Sequence, residues 1–193
     1  MSTSTNPVLA TFAVFLVLLS CACDPCDDQS GTIEIDPADR TAPDLYWQVT
    51  TLTNTPDGPI SALRLITDPN TNITMTPNDF VEVTLFAEDN ESGVKRMNVQ
   101  GGFGYTCARP DGAIALSGII PGDNPAFFNL AEGVCGFAEA AYPSFIIDGA
   151  NLCVPDHPNL VSGGYQFLGS ALNNNDLIRQ NFQLTVTIVS PAD

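Results

Sequence analysis

The densest group of oxygen ligands in the sequence is an acidic turn made of Glu88, Asp89, Asn90 and Glu91. Calcium takes about six to eight oxygen ligands from carboxylates and carbonyls, so this turn is a candidate calcium site. The turn lacks the ligand spacing of an EF-hand loop, and a solvated turn stabilised by Asp89 is the simpler interpretation. Four further aspartates could join a calcium site if the fold brings them near: Asp36, Asp39, Asp44 and Asp68.

The second group with chemical potential is the set of six cysteines. Cys23 and Cys26 form a C-x-x-C pair, but the strand–helix context of a redox enzyme is missing around them. A local disulfide, or two separate pairings into the folded domain, therefore explains this pair better than redox catalysis. A zinc site is weakly indicated, because its candidate ligands lack compact paired spacing. Those candidate ligands are Cys107, Cys135, Cys153 and His157.

Catalytic chemistry has little support in the sequence. His157 is the only histidine, and it lies beside Asp156 between Pro155 and Pro158, in a segment typical of an exposed loop. A G-x-S-x-G elbow, which would present a serine nucleophile, does not occur. Paired carboxylates could hydrolyse a glycoside, but with 22 acidic residues some pairing is inevitable. We therefore predict a protein that is not an enzyme, and a hydrolase ranks third among the functions considered.

Aromatic residues could supply a surface for sugar recognition. Sugar-binding modules stack aromatic rings on their ligands, although most aromatic residues fill cores, and Trp47 fits a core position best. Glycan binding therefore stays open as an alternative function. The residues that could contribute are Tyr46, Trp47, Phe103, Tyr105, Phe127, Phe128, Phe137, Tyr142 and Phe145.

The charge balance narrows the choice of partner. The chain has 193 residues, of which 22 are acidic and 6 are basic, and its net charge is −16. Phosphate neutralisation by Lys and Arg carries most nucleic-acid affinity, so we expect no nucleic-acid partner. An apolar content of 44% is enough to build a core.

The opening of the chain predicts export. Residues 8–20, VLATFAVFLVLLS, form an apolar run that is short for a transmembrane helix and matches the central region of a secretory signal. Leu18, Leu19, Ser20 and Cys21 then resemble the lipobox of bacterial lipoproteins. The resemblance implies cleavage before Cys21 and acylation of its thiol, and two or three acyl chains hold a protein firmly on a membrane. Ala22 after the lipid-bearing cysteine implies the outer membrane of a Gram-negative cell. Ordinary cleavage with release, and a retained hydrophobic anchor, are the alternatives to a lipid anchor.

Export places the remaining cysteines in an oxidising compartment, where disulfides persist. The disulfide candidates are Cys23, Cys26, Cys107, Cys135 and Cys153. Two of the three cysteines in the domain are expected to pair, with the third linked to Cys23 or Cys26. A bond from Cys135 to Cys153, or from Cys107 to Cys135, would contribute roughly 3–4 kcal/mol by restricting the unfolded chain. With Cys21 acylated, five cysteines remain, so one is free or pairs with another molecule.

The elements that must position these residues are predicted to be β-strands. Residues 182–189 alternate apolar and polar side chains, which is the period of a strand with one buried face. Fifteen glycines and fifteen prolines interrupt the chain too often for a helical bundle. Several short strands with turns between them favour a β-sandwich. The predicted strands are 46–52, 61–66, 80–87, 94–99, 113–120, 144–147, 164–168 and 182–189, with an early strand near 32–36. Residues 124–142 favour one helical turn or a covering loop.

Two segments resemble the immunoglobulin-like domains of bacterial surface proteins. DRTAPD, residues 39–44, is similar to the motif before their first strand, and residues 83–99, VTLFAEDNESGVKRMNV, are similar to a strand–turn–strand motif. The resemblance implies an immunoglobulin-like antiparallel β-sandwich. Residues 101–160 depart from the pattern and are predicted to form a long inserted loop region. Domains of this type serve as spacers, adhesion modules or carbohydrate-binding appendages, so the fold alone does not assign a function.

We therefore predict a signal peptide at 1–20, a lipid-anchored acidic linker at 21–44 and an immunoglobulin-like domain at 45–193. The expected function is that of a cell-envelope lipoprotein with a structural, spacer or adhesive domain. The alternative is a carbohydrate- or calcium-dependent recognition module. The expected partners are the membrane, through the lipid anchor, and a protein or glycan at the cell surface.

Overall fold

The structure, a computed structural model, describes residues 26, 30–121, 128–130, 133–149, 153, 156 and 158–189, with backbone only at 103 and 114–121. Thirteen β-strands and no α-helix occur among these residues. The strands are β1 (Thr32–Glu34), β2 (Asp44–Thr55), β3 (Gly58–Ile66), β4 (Thr71–Met75), β5 (Asp79–Glu88), β6 (Val94–Ala108), β7 (Ile114–Pro121), β8 (Phe128–Asn129), β9 (Cys135–Phe137), β10 (Glu139–Ala141), β11 (Phe145–Asp148), β12 (Asn159–Asn173) and β13 (Ile178–Val189).

The strands form two sheets. The eight-stranded sheet has the order β1-β9-β6-β12-β13-β4, with β7 and β8 also paired to β6. The five-stranded sheet has the order β10-β5-β2-β3, with β11 also paired to β5. All pairings within the described residues are antiparallel except that of β4 with β13. The prediction of an all-β sandwich is confirmed.

The core lies between the two sheets and follows the alternation in the sequence. In β13, Phe182, Leu184, Val186 and Ile188 are buried, while the residues between them are partly exposed. Trp47 on β2 is fully buried, which confirms the prediction that it is a core residue. Its ring lies against the rings of two residues from the opposite sheet, Phe167 on β12 and Phe182 on β13.

Residues 101–160 complete the edges of both sheets, which corrects the prediction of a long inserted loop. The strands β9, β8 and β7 pair in succession along one edge of β6, whose other edge is filled by β12. The strands β10 and β11 then pair along one edge of β5. The described part of 124–142 likewise contains the short strands β8, β9 and β10 where a helical turn or a loop was expected.

Two disulfides join distant parts of the chain, which confirms that the domain is disulfide-bonded. Cys26 pairs with Cys135, and Cys107 pairs with Cys153. Neither Cys135–Cys153 nor Cys107–Cys135 forms, but one cysteine of the domain does bond to the C-x-x-C pair, as expected. The three cysteines of the zinc hypothesis, Cys107, Cys135 and Cys153, are all in disulfides and are not available as thiolates, so the zinc hypothesis is wrong.

Candidate functional site

The acidic turn between β5 and β6 is organised by Asp89. Its side chain is buried, with 4% of its surface exposed. Oδ1 of Asp89 accepts hydrogen bonds from the backbone N–H groups of Ser92 at 2.8 Å and Gly93 at 3.0 Å, with a longer one from Glu91 at 3.3 Å. Gly93 has a φ of 72°, and a Cβ at this position would lie 2.6 Å from the Cα of Gly136. The chain reverses here because Asp89 binds the turn amides and glycine tolerates the left-handed conformation.

A second carboxylate, Asp39, lies beside Asp89, and the two share donors. Asn173 Nδ2 donates to Oδ2 of both carboxylates at 3.0 Å. Ser92 Oγ donates to Asp39 Oδ2 at 2.6 Å. The hydrogen bonds from Ser92 and then from Thr41 hold the pKa of Asp39 below its usual value. We refer to Asp39, Asp89, Ser92 and Asn173 as the Asp39–Asp89 cluster.

The next two residues after Asn173 extend this arrangement. Asn174 Nδ2 donates to the carbonyl oxygen of Ser92 at 2.9 Å, and Asn175 Nδ2 donates to that of Asp36 at 2.7 Å. Asn173 Oδ1 accepts from the backbone N–H of Leu177 at 2.8 Å. One asparagine run in the turn between β12 and β13 therefore holds two distant segments of the chain together.

The geometry gives the acidic turn a structural role. The oxygens of Asp39 and Asp89 accept from N–H and O–H donors, and Oε1 of Glu88 accepts from Asn90 Nδ2 at 2.8 Å. No group of three or more His, Cys, Asp or Glu side chains is arranged to hold a metal ion within the ranges described above. Calcium at Glu88, Asp89, Asn90 and Glu91 stays a prediction.

The other predicted acidic residues are distributed unevenly. A pocket of about 520 Å³ beside the turn is lined by the four turn residues together with Asp44, Thr41, Ala42 and Arg179. The backbone N–H of Asp36 donates to the carbonyl oxygen of Glu91 at 2.9 Å. Asp68 lies in the connection between β3 and β4 and is not among the residues that line this pocket. Asp36, Asp39 and Asp44 therefore come near the turn, as the calcium hypothesis requires.

The segment before β2 is attached to the same end of the sandwich. Cys26 is buried and bonded to Cys135 on β9, and β1 pairs with β9 in the register Thr32 to Phe137. This confirms the early strand. The hydroxyl of Thr32 donates to the carbonyl oxygen of Cys26 at 2.6 Å. We call this end, formed by Cys26, Cys135, β1 and the Asp39–Asp89 cluster, the anchored end.

The outer face of the five-stranded sheet carries a partly exposed aromatic pair. Tyr46 on β2 stacks on Phe86 on β5, with ring centroids 5.0 Å apart. The hydroxyl of Tyr46 donates to Oε1 of Glu139 at 2.8 Å, and burial together with this carboxylate raises the pKa of Tyr46 to about 12. A pocket of about 440 Å³ adjoins Phe86 and Glu139. Most other predicted aromatic residues point inward, and Tyr142 and Phe145 stack against each other at the core.

The edge strand of the five-stranded sheet, β3, carries three highly exposed apolar side chains. Ile146 on β11 is the other such residue in this sheet. Ile60, Leu63 and Leu65 expose 61%, 62% and 62% of their surfaces. Only Ile66, at the end of the strand, is buried. We call residues 58–66 the β3 edge. Leu63 and Leu65 share one face of the strand and Ile60 lies on the other, because successive side chains of a strand alternate.

Some predicted residues lie outside the described ranges. These are Cys21, Cys23 and His157, together with the side chain of Phe103 and all of Phe127. Sequence reasoning missed Asn173 and the β3 edge as important features. The run Asn173-Asn174-Asn175 was the available signal for the first, because consecutive asparagines favour side-chain-to-backbone hydrogen bonds.

Comparison of the chain with models of known protein families finds no match, and comparison with curated proteins finds none. Among the residues that the structure describes, no helix is long and apolar enough to cross a bilayer.

Proposed function

We propose that this chain is an exported, lipid-anchored protein of the cell envelope, whose immunoglobulin-like sandwich makes structural or adhesive contacts. The observation that carries the proposal is the difference between the two ends of the domain. Its anchored end holds the N-terminal segment by a disulfide and a strand, and the β2–β3 hairpin, with its exposed apolar residues, extends from that end.

The distance from the lipid supports this arrangement. Five residue steps separate Cys21 from Cys26, and an extended chain covers at most about 3.6 Å per residue, so acylated Cys21 lies within about 18 Å of Cys26. The anchored end then lies next to the bilayer. The strand β2 starts at this end and has 12 residues, and at about 3.3 Å per residue it carries the hairpin turn roughly 40 Å away.

The immunoglobulin-like assignment is supported by the positions of the two segments that resemble that family. Asp39, from the first segment, accepts a hydrogen bond from Ser92 in the second. The two segments therefore pack against each other at the start of β2 and the end of β5, and Asn173 of β12 joins them to the other sheet.

Metabolic labelling with a fatty-acid analogue tests the anchor. We expect label in the membrane fraction for the wild-type chain and for Cys23→Ser, and loss of both label and membrane association for Cys21→Ser. The Cys23→Ser variant is the matched control, because it removes a neighbouring thiol and leaves the lipobox intact. Labelling that survives Cys21→Ser would refute the proposed anchor.

Glycan recognition is a second candidate, supported by the Tyr46–Phe86 pair beside Glu139 and its pocket. Stacked rings next to a carboxylate offer an apolar surface and a hydrogen-bond acceptor to a sugar. Glycan-array binding should then disappear in Phe86→Ala and persist in Phe128→Ala, which changes an exposed ring on the other sheet. Absence of binding to any glycan by the wild-type chain would exclude this candidate.

A further inference from the structure

The β3 edge is an open end of the five-stranded sheet. The strand pairs with β2 on one side, and no other strand among the described residues pairs with it. An antiparallel ladder uses the N–H and C=O groups of alternate residues on each side, so every second residue of β3 directs these groups toward the open side. The opposite edge of the same sheet differs, because β10 and β11 cover β5 there.

The β3 edge lacks most features that protect natural edge strands. Proteins block edges with charged residues, prolines, bulges or short strands. The strand has nine residues, pairs with β2 without a shift in register, and carries one charge, Arg64. Pro59 and Arg64 are its only protective residues, and Pro59 lies beside the hairpin turn. A long, regular and apolar edge of this kind is a template for another strand.

The charge distribution favours a second copy of this chain as the partner. The whole chain has a net charge of −16, so most surfaces of two copies repel each other. Residues 44–67, which include β2 and β3, contain only Asp44, Asp57 and Arg64 as charged residues, so this hairpin carries a net charge of only −1. Two copies can therefore meet at this hairpin with little repulsion, whereas a basic partner would find more attraction almost anywhere else on the molecule.

We propose that two copies pair through β3 in antiparallel orientation about a two-fold axis at Leu63. Directly opposed residues of paired strands point to the same face of the sheet, so Leu63 lies beside its own mate and Leu65 lies opposite Ser61. Arg64 lies opposite Ala62, which keeps the two arginines from facing each other. The contact is isologous, and the two five-stranded sheets join into one continuous sheet.

The proposed contact is small. Stable interfaces bury about 800 Å² on each partner, and one nine-residue edge provides less than that. Dimerisation should therefore depend on concentration, and confinement to a membrane surface would promote it. The strand pairing itself does not need the lipid anchor, so this proposal and the proposed anchor can fail independently.

Cysteine cross-linking in cells tests the register. The full-length chain carries Cys23→Ser to remove that thiol, together with either Leu63→Cys or Ile146→Cys. Opposed Cα atoms in an antiparallel pair lie about 4.5–5.5 Å apart, which a disulfide spans. We expect a disulfide-linked dimer on a non-reducing gel for Leu63→Cys. Ile146 is the matched control, because it is 63% exposed on β11 at the far side of the same sheet. Absence of the Leu63→Cys dimer, or equal dimer from both variants, would overturn the pairing.

Sedimentation of the purified full-length chain in mild detergent provides a second measurement. The wild-type chain and Ile146→Lys should shift from monomer to dimer as concentration rises, and Leu63→Lys should remain monomeric at every concentration. Circular dichroism identifies any variant that fails to fold. A wild-type chain that stays monomeric, as it would if β3 served a strand of another protein, contradicts the proposal. Oligomers that persist in Leu63→Lys contradict it equally.

Discussion

The anchored end and the β3 edge are built on opposite principles. At the anchored end a disulfide, a short strand and buried carboxylates fix the chain, and the acceptors of Asp39 and Asp89 have protein donors. At the β3 edge, apolar side chains and backbone groups face solvent. Burying two carboxylates is costly unless donors surround them, so the anchored end requires a fixed geometry. The β3 edge has no comparable constraint and remains able to add a strand.

Removing the disulfide of the anchored end should cause the largest loss of unfolding free energy. The Cys26–Cys135 bond closes a loop with a sequence separation of 109. Restriction of the unfolded chain by such a loop corresponds to about 3–5 kcal/mol. We expect the double variant Cys26→Ser, Cys135→Ser to lose that amount of unfolding free energy, measured by urea denaturation. The double variant Cys107→Ser, Cys153→Ser, with a separation of 46, should lose somewhat less.

Asn173→Ala should produce the next largest loss. The variant removes the amide that both buried carboxylates share and leaves the partly buried N–H of Leu177 without its side-chain acceptor. Unpaired buried polar groups cost about 1–3 kcal/mol each, so we expect unfolding free energy to fall by about 2–3 kcal/mol. Asn54→Ala, at an exposed position on β2, should change it by less than about 0.5 kcal/mol. Equal losses of unfolding free energy in Asn173→Ala and Asn54→Ala would show that the Asp39–Asp89 cluster does not stabilise the anchored end.

Acid should weaken the anchored end through Asp39. Its folded-state pKa lies below the reference value of 3.8 because Ser92 and Thr41 donate to it. A carboxyl group with a lowered folded pKa stabilises the fold above its unfolded pKa, and this stabilisation is lost as pH falls through the folded pKa. Urea denaturation between about pH 6 and pH 2 should show falling stability below the reference pKa. The Asp39→Asn variant should show a smaller dependence on pH over that range, and an unchanged dependence would contradict the assignment.

Leu63→Lys should have the smallest effect on folding. The side chain is largely exposed, and substitutions at such positions usually change unfolding free energy by within about 0.5 kcal/mol. Denaturation at low protein concentration, where copies do not meet, measures this value. A loss as large as that of Asn173→Ala would mean that the β3 edge contributes to the fold of the single chain, and the contrast between the two regions would then disappear.

Much of the fold could be predicted from local patterns. The alternation in β13 and β5 predicted which residues are buried, because a strand directs successive side chains to opposite faces wherever it lies. The turn at Asp89 and Gly93 was likewise readable, because an aspartate that binds nearby amides and a glycine with positive φ act within a few residues. The strands β7 and β11 were predicted as well, but β8, β9 and β10 were not. Each of these three has only two or three residues, and its pairing with β5 or β6, rather than its own sequence, makes it extended.

The sequence by itself determined a strand-rich, acidic chain with an apolar opening segment, since these properties depend on composition and on spacing of a few residues. Only the tertiary structure decided that Cys26 bonds to Cys135, that Asp39 meets Asp89 at Asn173, and that Leu63 and Leu65 face solvent. Those facts depend on which distant segments come together and on how far one sheet covers the other. The strand β3 has apolar residues on both faces, as a buried strand has. It is exposed because it is the outermost strand of its sheet and pairs, among the described residues, only with β2.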